Sequence, residues 1–152
     1  MVLIVKEIDW TKPRVNDIPL HLDDRGSVYC VFDHLDMSKI KRSYVVRNWQ
    51  PGTVRGWHGH SKAATYIHVI KGTSKVCAKK MDGDEIFSAT ISAAKPQLFY
   101  VPPGWYNGTM TLQEDTRILV FSTLTFNEVK NDDIRKEVTK EELDTIWKVA
   151  NR

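Results

Sequence analysis

Three of the five histidines in this chain, His58, His60 and His68, fall within eleven residues. Imidazole titrates near neutrality, so a pair can pass protons in both directions or ligate a metal ion. His58 and His60 are two apart, and in an extended segment both face the same way. The pair reads as polar residues on a solvated face or as a paired site for metal or acid/base chemistry. His68 lies an odd number of residues from Thr65 and reads as a structural histidine on the opposite face. Arg55, Trp57 and Lys62 flank the pair, and Trp57 should point away from it and anchor its strand. Arg55 and Arg47 carry forked guanidinium donors suited to an anionic oxygen, with surface salt bridges as the ordinary alternative. Strict alternation turns Arg55 away from His58, and a bulge at Gly56 would bring it back.

Holding such a pair requires a sheet, and the sequence is punctuated for one. A turn at Asp23-Asp24-Arg25-Gly26 precedes a strand over 27–32. Further strands are expected over 42–49, 54–60, 65–72, 73–80, 85–91, 97–104 and 116–126, separated by turns such as Pro51-Gly52 and Asp82-Gly83. Pro102 and Pro103 cannot continue inside a sheet. Trp105, Trp49 and Phe99 read as core aromatics. Only the tail looks helical. Glu142 follows Thr139 by three residues in a capping-box pattern, and Leu143, Ile146 and Trp147 fall on one helical face. Short strands with no alternating helix predict an all-β jelly-roll or sandwich over 1–152, one domain with a short C-terminal helix.

The bulk properties narrow the function. The chain has 152 residues, enough for one real core, and a net charge of +3 with scattered basic residues. That charge is too mild to argue for nucleic acid. No run of apolar residues is long enough for a membrane span, and no leader pattern opens the sequence, so a cytoplasmic protein is expected. Cys30 and Cys77 read most simply as two buried thiols in a reducing compartment, with a disulfide as the alternative.

The histidine segment is similar to the first cupin motif. Gly52 is followed after five residues by His58-Gly59-His60, Thr65 stands at the motif's glutamate position, and Gly72 closes it. The second motif is matched by Pro102-Pro103-Gly104, with Asn107 at its histidine position. The resemblance implies a cupin jelly-roll (double-stranded β-helix). A cupin metal site uses two further ligands, and Thr65 and Asn107 are poor replacements, so no metal and no other cofactor is expected.

A closer resemblance is to metal-free cupins that act on nucleotide-linked 4-keto-6-deoxy sugars. Val54-Arg55-Gly56-Trp57-His58, Val69-Ile70-Lys71-Gly72 and Pro102-Pro103-Gly104 are similar to dTDP-4-dehydrorhamnose 3,5-epimerases. Arg55-Gly56-Trp57-His58-Gly59-His60, Asp24-Arg25-Gly26, Ile40-Lys41-Arg42 and Asp132-Asp133-Ile134-Arg135 resemble dTDP-4-oxo-6-deoxyglucose 3,4-ketoisomerases. Val120 stands where the epimerases carry their acid tyrosine, which tilts the reading toward the ketoisomerases. The resemblance implies histidine acid/base transfer through an enediol, with His58 as base and His60 as relay or orienting partner. Tyr106 is a candidate proton donor, with packing as its alternative. Arg55, Arg47, Lys62, Tyr44, Asn107 and Thr65 are candidate substrate ligands, the arginines for a diphosphate or an enolate oxygen. It also implies a homodimer. A non-catalytic sugar- or small-ligand-binding cupin is the rival reading.

Overall fold

The computed structural model describes residues 8–32 and 36–152. Its strands are β1 (Arg14–Asp17), β2 (His21–Asp23), β3 (Gly26–Val28), β4 (Arg42–Asn48), β5 (Val54–His60), β6 (Thr65–Lys71), β7 (Thr73–Lys80), β8 (Ile86–Ser92), β9 (Gln97–Val101), β10 (Trp105–Thr111) and β11 (Thr116–Ser122). A short helix α1 (Phe126–Val129), a strand β12 (Ile134–Arg135) and a helix α2 (Lys140–Thr145) follow. Two antiparallel five-stranded sheets form, ordered β1-β9-β6-β11-β4 and β12-β5-β10-β7-β8, while β2 and β3 pair as a separate hairpin. This is the expected all-β jelly-roll with a short helix near the C-terminus. No helix among the described residues is long and apolar enough to cross a membrane.

The main core lies between the sheets. Ile67, Val69, Val76, Ile91, Phe99, Trp105 and Ile118 are buried there in one cluster. Alternation decides which side chains reach it: Phe99 and Val101 point inward, while Leu98 joins an outer cluster with Ile18 and Phe32. That outer cluster explains the fate of the 27–32 segment. Only its first two residues lie in a strand, and Tyr29, Val31 and Phe32 then cross the outer face of the first sheet and pack on Tyr66 and Phe121. Cys30 is left exposed, so the chain has one buried thiol, Cys77, rather than two. Trp105 and Phe99 pack in the core as expected, whereas Trp49 lies outside it, 64% exposed, with the Arg47 guanidinium 4.3 Å from its ring centre.

Three further elements differ from the sequence expectation. The Pro102-Pro103-Gly104 turn, with Gly104 at φ +85°, does not end the sheet but reverses the chain into β10. Asn107 and Gly108 weaken the strand signal there, and pairing with both β5 and β7 overrides it. The strand expected over 116–126 stops at Ser122, because Thr125 and Glu128 form a capping box that starts α1. The four residues of β1 pair with β9 at an edge.

The tail closes the outer face of the second sheet. Thr139 and Glu142 form the expected capping box, and Trp147 packs with Trp57, Cys77 and Met110. Leu143 is 45% exposed, so the covering face is made by Ile146 and Trp147 instead. Glu142 is buried and accepts from Trp57 Nε1 at 3.0 Å and Lys79 Nζ at 3.1 Å. Trp147 lies on bare backbone at Gly108, where a Cβ would come within 2.8 Å of the indole. Gly108→Ala should therefore push Trp147 outward and cost about 1–3 kcal/mol. Urea unfolding followed by tryptophan emission checks this, and an unchanged midpoint would mean the ring is free to shift.

Candidate active site

The cleft opens between the inner faces of the two sheets and has a volume of about 400 Å3. Arg42, Tyr44 and Val46 of β4 line it, together with Thr65 and Ile67 of β6 and Ile118, Val120 and Ser122 of β11. Arg55, His58 and His60 of β5 face them, beside Asn107 and Thr109 of β10. The segment after β11 completes the wall with Phe126, Lys130, Asp133 and Arg135. Apolar side chains from β6 and β11 thus stand across from a strand of imidazoles and guanidinium.

Arg55 and His58 share a wall because β5 carries a bulge. Asn107 pairs with His58 but Thr109 pairs with Arg55, so two residues of β5 stand against one of β10. Trp57 points away from the cleft, as alternation from His58 requires, and is fully buried in the outer cluster, while the extra residue reverses the phase before it and turns Arg55 inward. Asn107 Nδ2 donates to the His58 carbonyl at 3.2 Å and braces the bulge.

The two cleft histidines differ in how they are held. His60 Nδ1 lies 3.0 Å from the backbone carbonyl of Asp132. A carbonyl only accepts, so Nδ1 carries the proton and Nε2 keeps the lone pair in the neutral ring. Among the described residues the His58 ring has no such tether. Burial lowers its pKa, and the Arg135 charge beside it pushes the same way, against Asp133, so His58 is neutral at pH 7. His68 is 1% exposed on the opposite face, bonded through Nε2 to the Tyr29 hydroxyl at 3.0 Å and through Nδ1 to the Gln97 carbonyl at 2.9 Å. It is the structural histidine expected.

Asp132 is the residue that the sequence reading left out of the site. Its carboxylate is 3% exposed and accepts from the Ser61 N–H at 2.8 Å, the Ser61 hydroxyl at 2.6 Å and the Ala63 N–H at 3.0 Å. The Lys62 N–H reaches it at 3.1 Å. The loop leaving the histidine strand is thus tied to the chain just before β12. Antiparallel pairing of Ile134 with Gly59 and Arg135 with His58 then brings Asp133 and Arg135 to the cleft. The signal for this was the Asp132-Asp133-Ile134-Arg135 run, but only the fold shows that it lies along the histidines.

Of the expected site residues, the structure brings together His58, His60, Arg55, Tyr44, Asn107 and Thr65. It does not bring Tyr106, Arg47 or Lys62 to the cleft. Tyr106 neighbours Asn107 on β10 and so takes the other face, over Gly59, where a Cβ would lie 2.6 Å from its ring. Arg47 sits between the inward-facing Val46 and Asn48 and points outward, with Nε 2.5 Å from Asp115 Oδ1. Lys62 is on the loop after β5, and its side chain is exposed. Tyr44 pairs across the ladder with Val120, so a phenol stands beside the position at which the epimerase resemblance expects its acid. Burial against the cleft wall raises the Tyr44 pKa and keeps it protonated.

The donors at the cupin ligand positions are two imidazoles, the Thr65 hydroxyl and the Asn107 amide, a set that does not fit a divalent metal. Among the described residues no cluster of three or more His, Cys, Asp or Glu is arranged to hold one.

The same architecture occurs in solved structures of low sequence identity. A dTDP-4-dehydrorhamnose 3,5-epimerase from Bacillus anthracis, with TDP and PPi bound, superposes with a TM-score of 0.80 at 19% identity, over 95% of this chain and 90% of that one. QdtA, a sugar 3,4-ketoisomerase from Thermoanaerobacterium thermosaccharolyticum in complex with TDP, gives 0.69 at 21% identity, over 82% and 88%. ChmJ, a 3'-monoepimerase from Streptomyces bikiniensis in complex with dTDP-quinovose, gives 0.73 at 14% identity, over 90% and 73%. At these identities the likeness is one of fold. No curated protein matches the sequence. Residues 11–140 match the family described as FdtA: WxcM-like, C-terminal, and the chain belongs to that family.

Proposed function

We propose that the chain isomerises a nucleotide-linked 4-keto-6-deoxy sugar by moving the carbonyl from C4 to C3. The observation that carries this reading is the pair of histidines in one cleft, with His60 held in a single tautomer. In this reading Nε2 of His60 takes the proton from C3, an enediol forms across C3 and C4, and the same proton returns to C4. The proton on O3 passes to O4, and Tyr44, protonated and in the same cleft, is suited to relay it. The roles of the two imidazoles are thus exchanged relative to the sequence expectation, because the base needs a fixed lone pair and His58 has no partner among the described residues to fix one. Arg55 stabilises the developing enediolate oxygen. Arg42 and Lys130 give the nucleotide's diphosphate positive charge. The solved ketoisomerase and epimerase structures with bound TDP support a nucleotide sugar as ligand.

One observation favours the 3,5-epimerase reading: Tyr44 stands beside Val120 and could supply an acid from that side of the ring. A single experiment separates the readings. The protein is incubated with dTDP-4-keto-6-deoxyglucose in heavy water, and the ring protons are followed by NMR. A 3-keto species, absent with His60→Asn, is the expected outcome. Deuterium at C3 and C5 with the 4-ketone retained would give the epimerase, and neither a 3-keto species nor deuterium at any carbon would remove this substrate and favour a binding role or a different keto sugar.

A further inference from the structure

Arg55 is held in an unusual way for a cleft arginine. Its Nε–H donates to Asn48 Oδ1 at 2.6 Å. Arg47 and Arg135 are each paired with a carboxylate, Asp115 and Asp133 respectively. Among the described residues no carboxylate forms an ion pair with Arg55, which meets only a neutral amide. Asn48 is the last residue of β4, faces inward and is 2% exposed. Its other amide atom, Nδ2, is buried without a hydrogen-bond partner. The amide cannot flip to relieve this, because Nδ2 would then face the Arg55 Nε–H and set donor against donor.

On stability alone this is a poor choice of residue. Aspartate has the same shape, would give Arg55 a charged acceptor and would leave no donor unmet. An aspartate would also cancel the guanidinium's charge. We infer that Asn48 is a positioning residue that holds the Arg55 guanidinium in the cleft without neutralising it. The charge then remains available to an anionic oxygen of the ligand. In the proposed isomerisation, on which this part of the inference rests, that oxygen is the one that becomes negative in the enediolate.

The test uses Asn48→Asp, which preserves volume, and Asn48→Ala, which frees Arg55 but keeps its charge. Two readouts are needed, and one does not depend on turnover. The groups around His58 are Arg135 of β12 and Asp133 just before it, and His60 and Arg55 from its own strand, with Tyr44, Arg42 and Lys130 lining the same cleft. Arg55 is among the charges that lower the His58 pKa. An NMR titration of the His58 ring should therefore show its midpoint rising in Asn48→Asp and staying near the wild-type value in Asn48→Ala. In the isomerisation assay, read as formation of the 3-keto sugar, Asn48→Asp should lower kcat by about 100-fold or more with KM changed less than about threefold. Asn48→Ala should lower kcat by about tenfold. A wild-type kcat in Asn48→Asp, or an unmoved His58 midpoint in that variant, overturns the inference. If the wild-type protein leaves the keto sugar unchanged, the proposed reaction fails and the His58 titration alone decides the positioning role.

Discussion

In the proposed isomerisation, His60→Asn should lower the rate at which the 3-keto sugar forms by about 10²–10⁴-fold, the range expected when a positioned general base is removed. Asparagine can still place an N–H near the Asp132 carbonyl that His60 Nδ1 now meets at 3.0 Å, so the strand and its loop should stay in place. What it lacks is a lone pair able to accept and return a proton at neutral pH. His58→Asn should lose less, because among the described residues no backbone group fixes that ring, and burial and the Arg135 charge lower its pKa and keep it neutral. The comparison is made on kcat at saturating substrate, with thermal unfolding as the control. The opposite ranking, His58→Asn far slower than His60→Asn, would return the base to His58.

Asp132→Ala is expected to have the largest effect on stability, about 3–5 kcal/mol, measured by urea unfolding. The substitution strands the N–H groups of Ser61, Lys62 and Ala63, which the buried carboxylate now satisfies. Asp132→Asn should cost less, since one accepting oxygen remains, but its N–H2 would face other donors. The pH dependence follows from the same contacts. Burial pushes the Asp132 carboxyl up, and the hydrogen bonds from Ser61, Ala63 and Lys62 outweigh it, leaving the pKa below its ordinary 3.8. A carboxyl depressed by folding stabilises the protein fully above its unfolded pKa, and that contribution is lost as pH falls through the folded value. The gap between wild type and Asp132→Asn should therefore be constant from neutrality down to about pH 5 and close below about pH 4. A gap that persists unchanged at pH 3 would show that the carboxylate charge is not what ties the loop.

Local pattern made the histidine strand legible, since the two-residue spacing of His58 and His60 survives folding. It also placed Trp57 outward and His68 on the far face. The capping box at Thr139 was readable because its two reciprocal hydrogen bonds need only four adjacent residues. What local pattern could not settle was face. Tyr106 and Arg47 were suitable chemically but lie one step out of phase with inward neighbours, and phase is fixed only by the register of β10 and β4 against their partners. Arg55 shows the converse, because a bulge carried it into the cleft against strict alternation. Asp132 was hidden for another reason. It lies about seventy residues from the loop it binds, and nothing near it in sequence announces a buried carboxylate.

The pairing of β12 along the histidine strand has a consequence for the order in which the protein is made. A ribosome delivers the histidines early and residues 132–147 late. Until the late segment emerges, His60 has no carbonyl to choose its tautomer and the loop after it has no carboxylate. The Trp57 N–H and the Lys136 carbonyl, 2.9 Å apart in the finished protein, also wait for each other. A nascent chain halted before Asp132 should thus form both main sheets and carry both imidazoles while remaining chemically silent. The proposed isomerisation would begin only when the last strand is laid down.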